Sequence, residues 1–362
     1  MLKQKRTKRL LSLSALLLSF CNNAYTDNQA KEIYLTSCVN GGVCSTEQKN
    51  IRLEDKVNLN LVLQAVNERG EEIYFSNSDN LRINNQRLDP LNVKKWGSED
   101  INIKWFKVES REDSYSNIGW ENFMWDTPTY KETLVDEGKN WQITADAHPT
   151  DESKDINKGL GTMRYKVEIS YNDRKISTPG KDSINIKGIK DNVHRISFRK
   201  DDSFMGWLTS YFNIPYIFGS AGKPIEDHQT EKYIGADCAD LIIGAYRNMG
   251  HDVPYTYAAG LVKFSDEIVR QEDLYTDGEN FYNNEDKLKF GKDVKEGDLI
   301  LFGKWHVGVI TKDRSNPLGR FLGSPDGIFN RHDEMIHTMF DVPEISNVGM
   351  YGPFSILRFK DN

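Results

Sequence analysis

Residues 163 to 171 alternate without a break. Met163, Tyr165, Val167, Ile169 and Tyr171 are large and apolar or aromatic, and Arg164, Lys166, Glu168 and Ser170 lie between them, with Thr162 before. A period of two puts the two sets on opposite faces of an extended chain, whereas a helix would scatter both around its axis. The stretch is therefore expected to be a half-buried strand of an antiparallel sheet. Val57, Leu59, Leu61 and Leu63 repeat the pattern, as do Ile101, Ile103 and Trp105. After the turn at Asn172-Asp173, Ile184 to Ile189 and Val193 to Phe198 continue it. A lone strand leaves its ladder unpaired, so residues 27–199 are expected as one β-rich, sandwich-like domain, with two smaller modules as the alternative. Trp120, Trp125, Tyr130 and Trp141 fall among polar residues here. They read first as core and loop aromatics, and second as a ligand-facing surface.

The chain has 362 residues, enough for more than one domain. A net charge of −7 gives no basic footprint for nucleic acid. Lys3, Lys5, Arg6, Lys8 and Arg9 precede the apolar run Leu10 to Phe20, which is too short to span a bilayer. Residues 1–26 are thus expected to be a signal peptide, and the protein to be exported to the periplasm or cell surface with no integral membrane segment remaining. Cys21 lies in this region. Phe20 is too bulky for the position before a lipidated cysteine. Cys38 and Cys44 enclose Val-Asn-Gly-Gly-Val, whose Asn40-Gly41-Gly42 is a turn signal, and in an oxidising compartment they are expected to form a disulfide.

That pairing leaves Cys238, in Gly-Ala-Asp-Cys-Ala-Asp-Leu-Ile-Ile-Gly-Ala-Tyr-Arg-Asn-Met-Gly, residues 235 to 250. Asp237 is a candidate helix cap and Cys238 the first helical residue. Leu241, Ile242, Ala245 and Met249 make one apolar face, and Gly250 stands where helices end. The positive end of the helix dipole favours a thiolate at Cys238, while the Asp240 carboxylate opposes it. Before this helix, Phe204, Trp207, Leu208, Tyr211 and Phe212 read as another helix ended by Pro215. After it, Leu299 to Phe302, His306 to Ile310, Met335 to Thr338 and Phe354 to Phe359 read as strands. Helices followed by strands give an α+β arrangement for residues 200–362, expected to fold independently of the β-rich part.

A cysteine nucleophile needs a base, and the base an orienting partner. His306 leads a candidate strand and His337 lies on a later one, where it can hold the second ring nitrogen of His306. The backbone N–H of Cys238, without an intrahelical partner, is a candidate oxyanion donor. His332 and His337 lack the His-Glu-x-x-His spacing of a helical zinc site, and no metal or cofactor is expected.

The pattern resembles the NlpC-type cell-wall cysteine peptidases, a papain-like group. Asp237-Cys238-Ala239-Asp240 matches their Asp-Cys-Ser-Gly nucleophile motif. Gly297-Asp298-Leu299 with His306-Val307-Gly308-Val309 matches their base motif, and Tyr216-Ile217-Phe218-Gly219 their substrate-side segment. Ile336-His337-Thr338 matches their third catalytic position. The resemblance covers residues 200–359. It implies a papain-like domain cleaving amide bonds in peptidoglycan stem peptides through Cys238, His306 and His337, with Tyr216, Asp237 and Asp240 contacting substrate. Two features depart from the family. Asp240 replaces a glycine, and His337 follows His306 at more than a strand-to-strand interval, which makes Asp326, Asn330 and His332 rival third residues. A thiol amidase acting on another substrate, or an inactive surface binding protein, are the competing functions.

Overall fold

The computed structural model describes residues 29–67, 69–95, 101–114, 116–117, 127–171, 174–222, 228–315 and 323–360. The expected signal peptide, Cys21, Trp120 and Trp125 lie outside these residues. In chain order the main elements are β1 (Gln29–Val39), β2 (Lys49–Arg52), β3 (Val57–Val66), β4 (Asn102–Ser110), β5 (Tyr130–Gly138), β6 (Gly161–Tyr171) and β7 (His194–Arg199). They are followed by α1 (Phe204–Thr209), α2 (Cys238–Asn248), β8 (Ser265–Val269), β9 (Leu299–Phe302), β10 (His306–Lys312), β11 (Glu334–His337), β12 (Glu344–Asn347) and β13 (Phe354–Phe359).

Two large sheets dominate the first half. One is built on the long antiparallel pair β1–β3. The other runs β5–β4–β6–β7–β2, antiparallel except where β7 meets β2. Their facing sides form a single core in which Leu59, Leu61 and Leu63 meet Trp105, Val167 and Ile169. Trp141 belongs to that core, and the Trp105 indole N–H donates to the Asn140 carbonyl at 2.8 Å. These aromatics are core residues, as large apolar side chains with one polar handle usually are. Cys38 and Cys44 are joined as a disulfide across the turn.

The second half is organised by one antiparallel sheet, β8–β13–β9–β10–β11–β12. Its two sides bury separate clusters. Leu299, Leu301, Val307 and Val309 face α2, and Ile300, Phe302, Ile310 and Ile356 face away from it toward Phe281 and Phe329. Burial on both faces explains why Leu299–Phe302 is a continuous apolar run instead of an alternating one.

The α+β, papain-like class expected for this half, behind a β-sandwich-like domain, is overturned. The chain is mostly β, 43% strand against 12% helix, with a curled half-barrel sheet. The reason is local. The apolar spacing after residue 200 promised a helix through Phe212, but α1 stops at Thr209, and Asn213 takes a left-handed backbone with φ of 69° before Pro215. Beyond α2 the apolar residues fall in short segments of four to seven residues, which ladder pairing satisfies and a helix of useful length does not.

β6 alternates as read, yet its polar face is not free. Arg164 is buried, and its Nη2 donates to the Tyr233 carbonyl at 2.8 Å. Thr162 donates from Oγ1 to the Ser210 carbonyl at 2.8 Å and from N to the Phe212 carbonyl at 2.9 Å. The Arg195 guanidinium stacks 4.3 Å from the Tyr233 ring centre. Val108, Tyr130, Ile189 and Val193 pack with Ile217 and Ile234. The two halves are therefore joined by a buried seam. Residues 200–362 expressed alone would expose the Ile217–Ile234 surface and leave these backbone carbonyls without donors. The expected outcome is a poorly soluble fragment without a native near-UV circular dichroism spectrum, rescued by co-expression of residues 27–199. A fragment melting cooperatively at the full chain's temperature would contradict the seam's role.

Candidate active site

The first turn of α2 is fixed by its cap. Asp237 Oδ1 accepts from the N–H groups of Ala239 (3.0 Å) and Asp240 (2.9 Å), and its Oδ2 accepts from Gly219 N–H at 2.9 Å. One carboxylate thus ties the helix start to the loop after Tyr216. Leu241, Ile242 and Ala245 are buried as the spacing predicts, whereas Met249 is at the C-cap and exposed. Gly244 lets the helix approach Tyr211: a Cβ there would meet the Tyr211 hydroxyl at 2.6 Å.

Cys238 is the first residue of α2, a free thiol, 7% exposed. It packs in one buried cluster with Val307 on β10, whose backbone pulls the thiol pKa down. His306 is the preceding residue of that strand and is 1% exposed. The imidazole is gripped on several sides. Its Nε2 lies 3.2 Å from Nδ1 of His337 on the neighbouring strand β11. Trp305 stacks at 5.6 Å and Phe302 at 5.8 Å between ring centres, and Tyr351 stands 5.2 Å away. Trp305 is 59% exposed, so the indole is the roof over the histidine. His337 Nε2 in turn meets Ser346 Oγ at 2.7 Å and Glu344 Oε1 at 3.8 Å. Gly308 makes room for the pair, since a Cβ on it would sit 3.3 Å from the His337 Cβ and 3.0 Å from Met335 Sδ.

His337 is thus the residue brought to His306, and the rivals bond elsewhere. His332 Nε2 pairs with Glu279 at 2.9 Å, Asn330 Nδ2 donates to the Arg314 carbonyl at 3.0 Å, and Asp326 Oδ1 accepts from Ile328 N–H at 2.9 Å. Tyr216 is buried edge-on to Phe340 at 5.5 Å. Asp240 turns inward, where its Oδ2 accepts from Ser220 Oγ–H and Ala221 N–H, both at 2.8 Å. Sequence reasoning missed Ser220, Trp305, Tyr351 and Ser346. The apolar–polar repeat of β12 is only four residues long and was not legible as a strand.

Burial governs the charges. It pushes the Cys238 thiol well above its ordinary value, and the neighbouring Asp237 charge pushes the same way, while the bonds from Val307 and Ala239 pull back. The helix-dipole advantage read from sequence is outweighed by desolvation. Burial, then the charge of His337, lowers His306 to about 3, and burial lowers His337 to about 4. Asp240 is raised well above the usual carboxylate range by burial and by Asp237. The thiol, on the α2 side of β10, and the hydrogen-bonded imidazole pair, on the side of Phe302 and Met335, both rest in their neutral forms. A neutral thiol attacks an acyl carbon by giving its proton to a general base during the attack. Among the described residues no group of three His, Cys, Asp or Glu is placed to hold a metal ion, and no helix is long and apolar enough to cross a membrane.

No protein-family model, curated protein or solved structure matches this chain.

The buried histidines make a stability prediction. His194 is lowered to about 3 by burial, like His306. Below pH 6.5 the unfolded chain takes up protons that the folded chain refuses until about pH 3 to 4, so these rings withdraw stability as pH drops through that window, while Asp333, raised to about 8 by burial, adds some. In His194→Gln the urea midpoint should therefore fall less, or rise more, from pH 7 to pH 5 than in the wild type. The same pH dependence in both proteins would contradict neutral burial of His194.

Proposed function

We propose that the protein is an exported cysteine hydrolase of the NlpC type that cleaves amide bonds in peptidoglycan stem peptides. One observation carries the reading: the free thiol at the start of α2 shares a buried cluster with Val307, the residue next to His306, and His306 is itself bonded to His337. The stem-peptide substrate comes from the resemblance of Asp237-Cys238-Ala239, His306-Val307-Gly308 and Ile336-His337 to that family. Export rests on the basic and apolar opening of the sequence, with which the Cys38–Cys44 disulfide is compatible.

In the proposed reaction His306 removes the Cys238 proton as sulfur attacks the carbonyl carbon. The Cys238 backbone N–H, at the helix start, stabilises the oxyanion. His306 then protonates the leaving amine, and water, activated by the same ring, hydrolyses the thioester. Asp237 holds the first turn of the helix in place, and Trp305 and Tyr216 are the aromatic residues expected to line the substrate path.

A second reading, a non-enzymatic surface binding protein, is favoured by the 7% exposure of the thiol and its upward shift, which slow any reaction that needs preformed thiolate. Turnover separates the two. On soluble stem-peptide fragments Cys238→Ala should abolish hydrolysis with its circular dichroism spectrum unchanged. His306→Ala should lower kcat by about a hundredfold or more, and His337→Ala by less. Because the base works in its neutral form and its pKa lies near 3, the rate should be level through neutral pH, with its acid limb far below 6.5. Wild-type turnover by Cys238→Ala would sink the thiol mechanism, and no turnover by the wild type on wall fragments or other amides would favour the binding protein.

A further inference from the structure

Ser346 lies on β12, opposite Met335 of β11, and is 1% exposed. Its Oγ is 2.7 Å from Nε2 of His337, and the other nitrogen of that ring, Nδ1, is 3.2 Å from Nε2 of His306. Three buried side chains from three consecutive strands of the sheet, β10, β11 and β12, thus form one continuous chain of polar atoms. The proposed reaction uses only its first two members.

We propose that Ser346 is a positioning residue: its hydroxyl oxygen is the terminal acceptor of a hydrogen-bond chain that holds His337, and through it His306, in the tautomers the reaction requires. The inference rests on the thiol-hydrolase reading. Proton bookkeeping gives the direction of every bond. His306 Nε2 is taken up by His337, so the thiol proton must go to Nδ1. When it does, the S–H bond breaks, an Nδ1–H bond forms, and the sulfur keeps the electron pair that attacks the carbonyl. His306 is then an imidazolium with hydrogen on both nitrogens, so its Nε2–H can only donate, and His337 Nδ1 must accept. A neutral imidazole that accepts at Nδ1 carries its hydrogen on Nε2. That hydrogen points to Ser346 Oγ. Without an acceptor there, His337 would bury an unpaired N–H at a cost of about 1–3 kcal/mol, or turn to the opposite tautomer. The opposite tautomer presents an N–H to an N–H at His306 and removes its support. Glu344 Oε1, 3.8 Å from the same nitrogen, is too far for a good hydrogen bond but favours the proton there. A serine suits the end of the chain because its hydroxyl accepts without a charge, so the ring it holds stays neutral and does not compete with His306 for the proton.

The tautomers are directly observable. In wild-type protein labelled with 15N histidine, NMR should find both His306 and His337 as Nε2–H tautomers. In Ser346→Ala, His337 should shift toward the Nδ1–H form, kcat on stem-peptide fragments should fall about tenfold, and KM should stay unchanged. Ser346→Thr, which keeps the hydroxyl, should restore most of the rate. An Nδ1–H tautomer at His337 in the wild type would overturn the proposal even if the alanine variant fails to fold. So would wild-type kcat in Ser346→Ala, or a loss that threonine does not recover. If Cys238→Ala retains turnover, the thiol reading fails instead, and the NMR result still decides whether the chain exists.

Discussion

The site depends on the docking of the first turn of α2 against β10. The buried cluster shared by Cys238 on the helix and Val307 on the strand is where helix and sheet meet. The Asp237 carboxylate fixes the helix side of this contact by bonding Ala239, Asp240 and Gly219 together. Ladder pairing fixes the sheet side, with Phe302 opposite His306 and Val309 opposite Ile336. Val307 and Val309, on one face of β10, fill the space under α2. Strand alternation then sends His306 and Gly308 to the opposite face from Val307 and Val309, where the flat glycine lets His337 come close.

Desolvation shapes the chemistry of everything held there. The thiol, both imidazoles and Asp240 are pushed toward their neutral forms by burial. A helix N-terminus in water would favour a thiolate, but a buried first turn next to a capping carboxylate does not. The neutral arrangement makes orientation more important than charge. A ring that must take a proton from a thiol has to present the correct nitrogen, and the aromatic residues Phe302, Trp305 and Tyr351 hold its plane.

Much of this was legible in short sequence patterns. The helix at 238, its Asp237 cap, the strands at 299 and 306, the alternation of 163 to 171 and the turn between Cys38 and Cys44 all depend on neighbours within a few residues, which periodicity and cap preferences report. The fold class was not legible. It turns on whether short apolar runs join a ladder or a helix, and on where α1 ends, and those are decided by contacts far along the chain. The same limit hid the seam. Arg164 reads as the solvent face of a strand, yet it bonds a carbonyl 69 residues later. Ser346 carries no motif, and only the pairing of three strands brings it to His337.

The account's central claim is that the Cys238 sulfur becomes covalently acylated during turnover. Intact-mass spectrometry of wild-type protein mixed with a stem-peptide fragment and quenched in acid during the first turnover tests it. The claim predicts a mass increase equal to the acyl part of the fragment, located on the peptide containing Cys238 and removed by hydroxylamine. Product accumulating at full rate with no adduct on Cys238 at any quench time, under conditions that preserve thioesters, would contradict it.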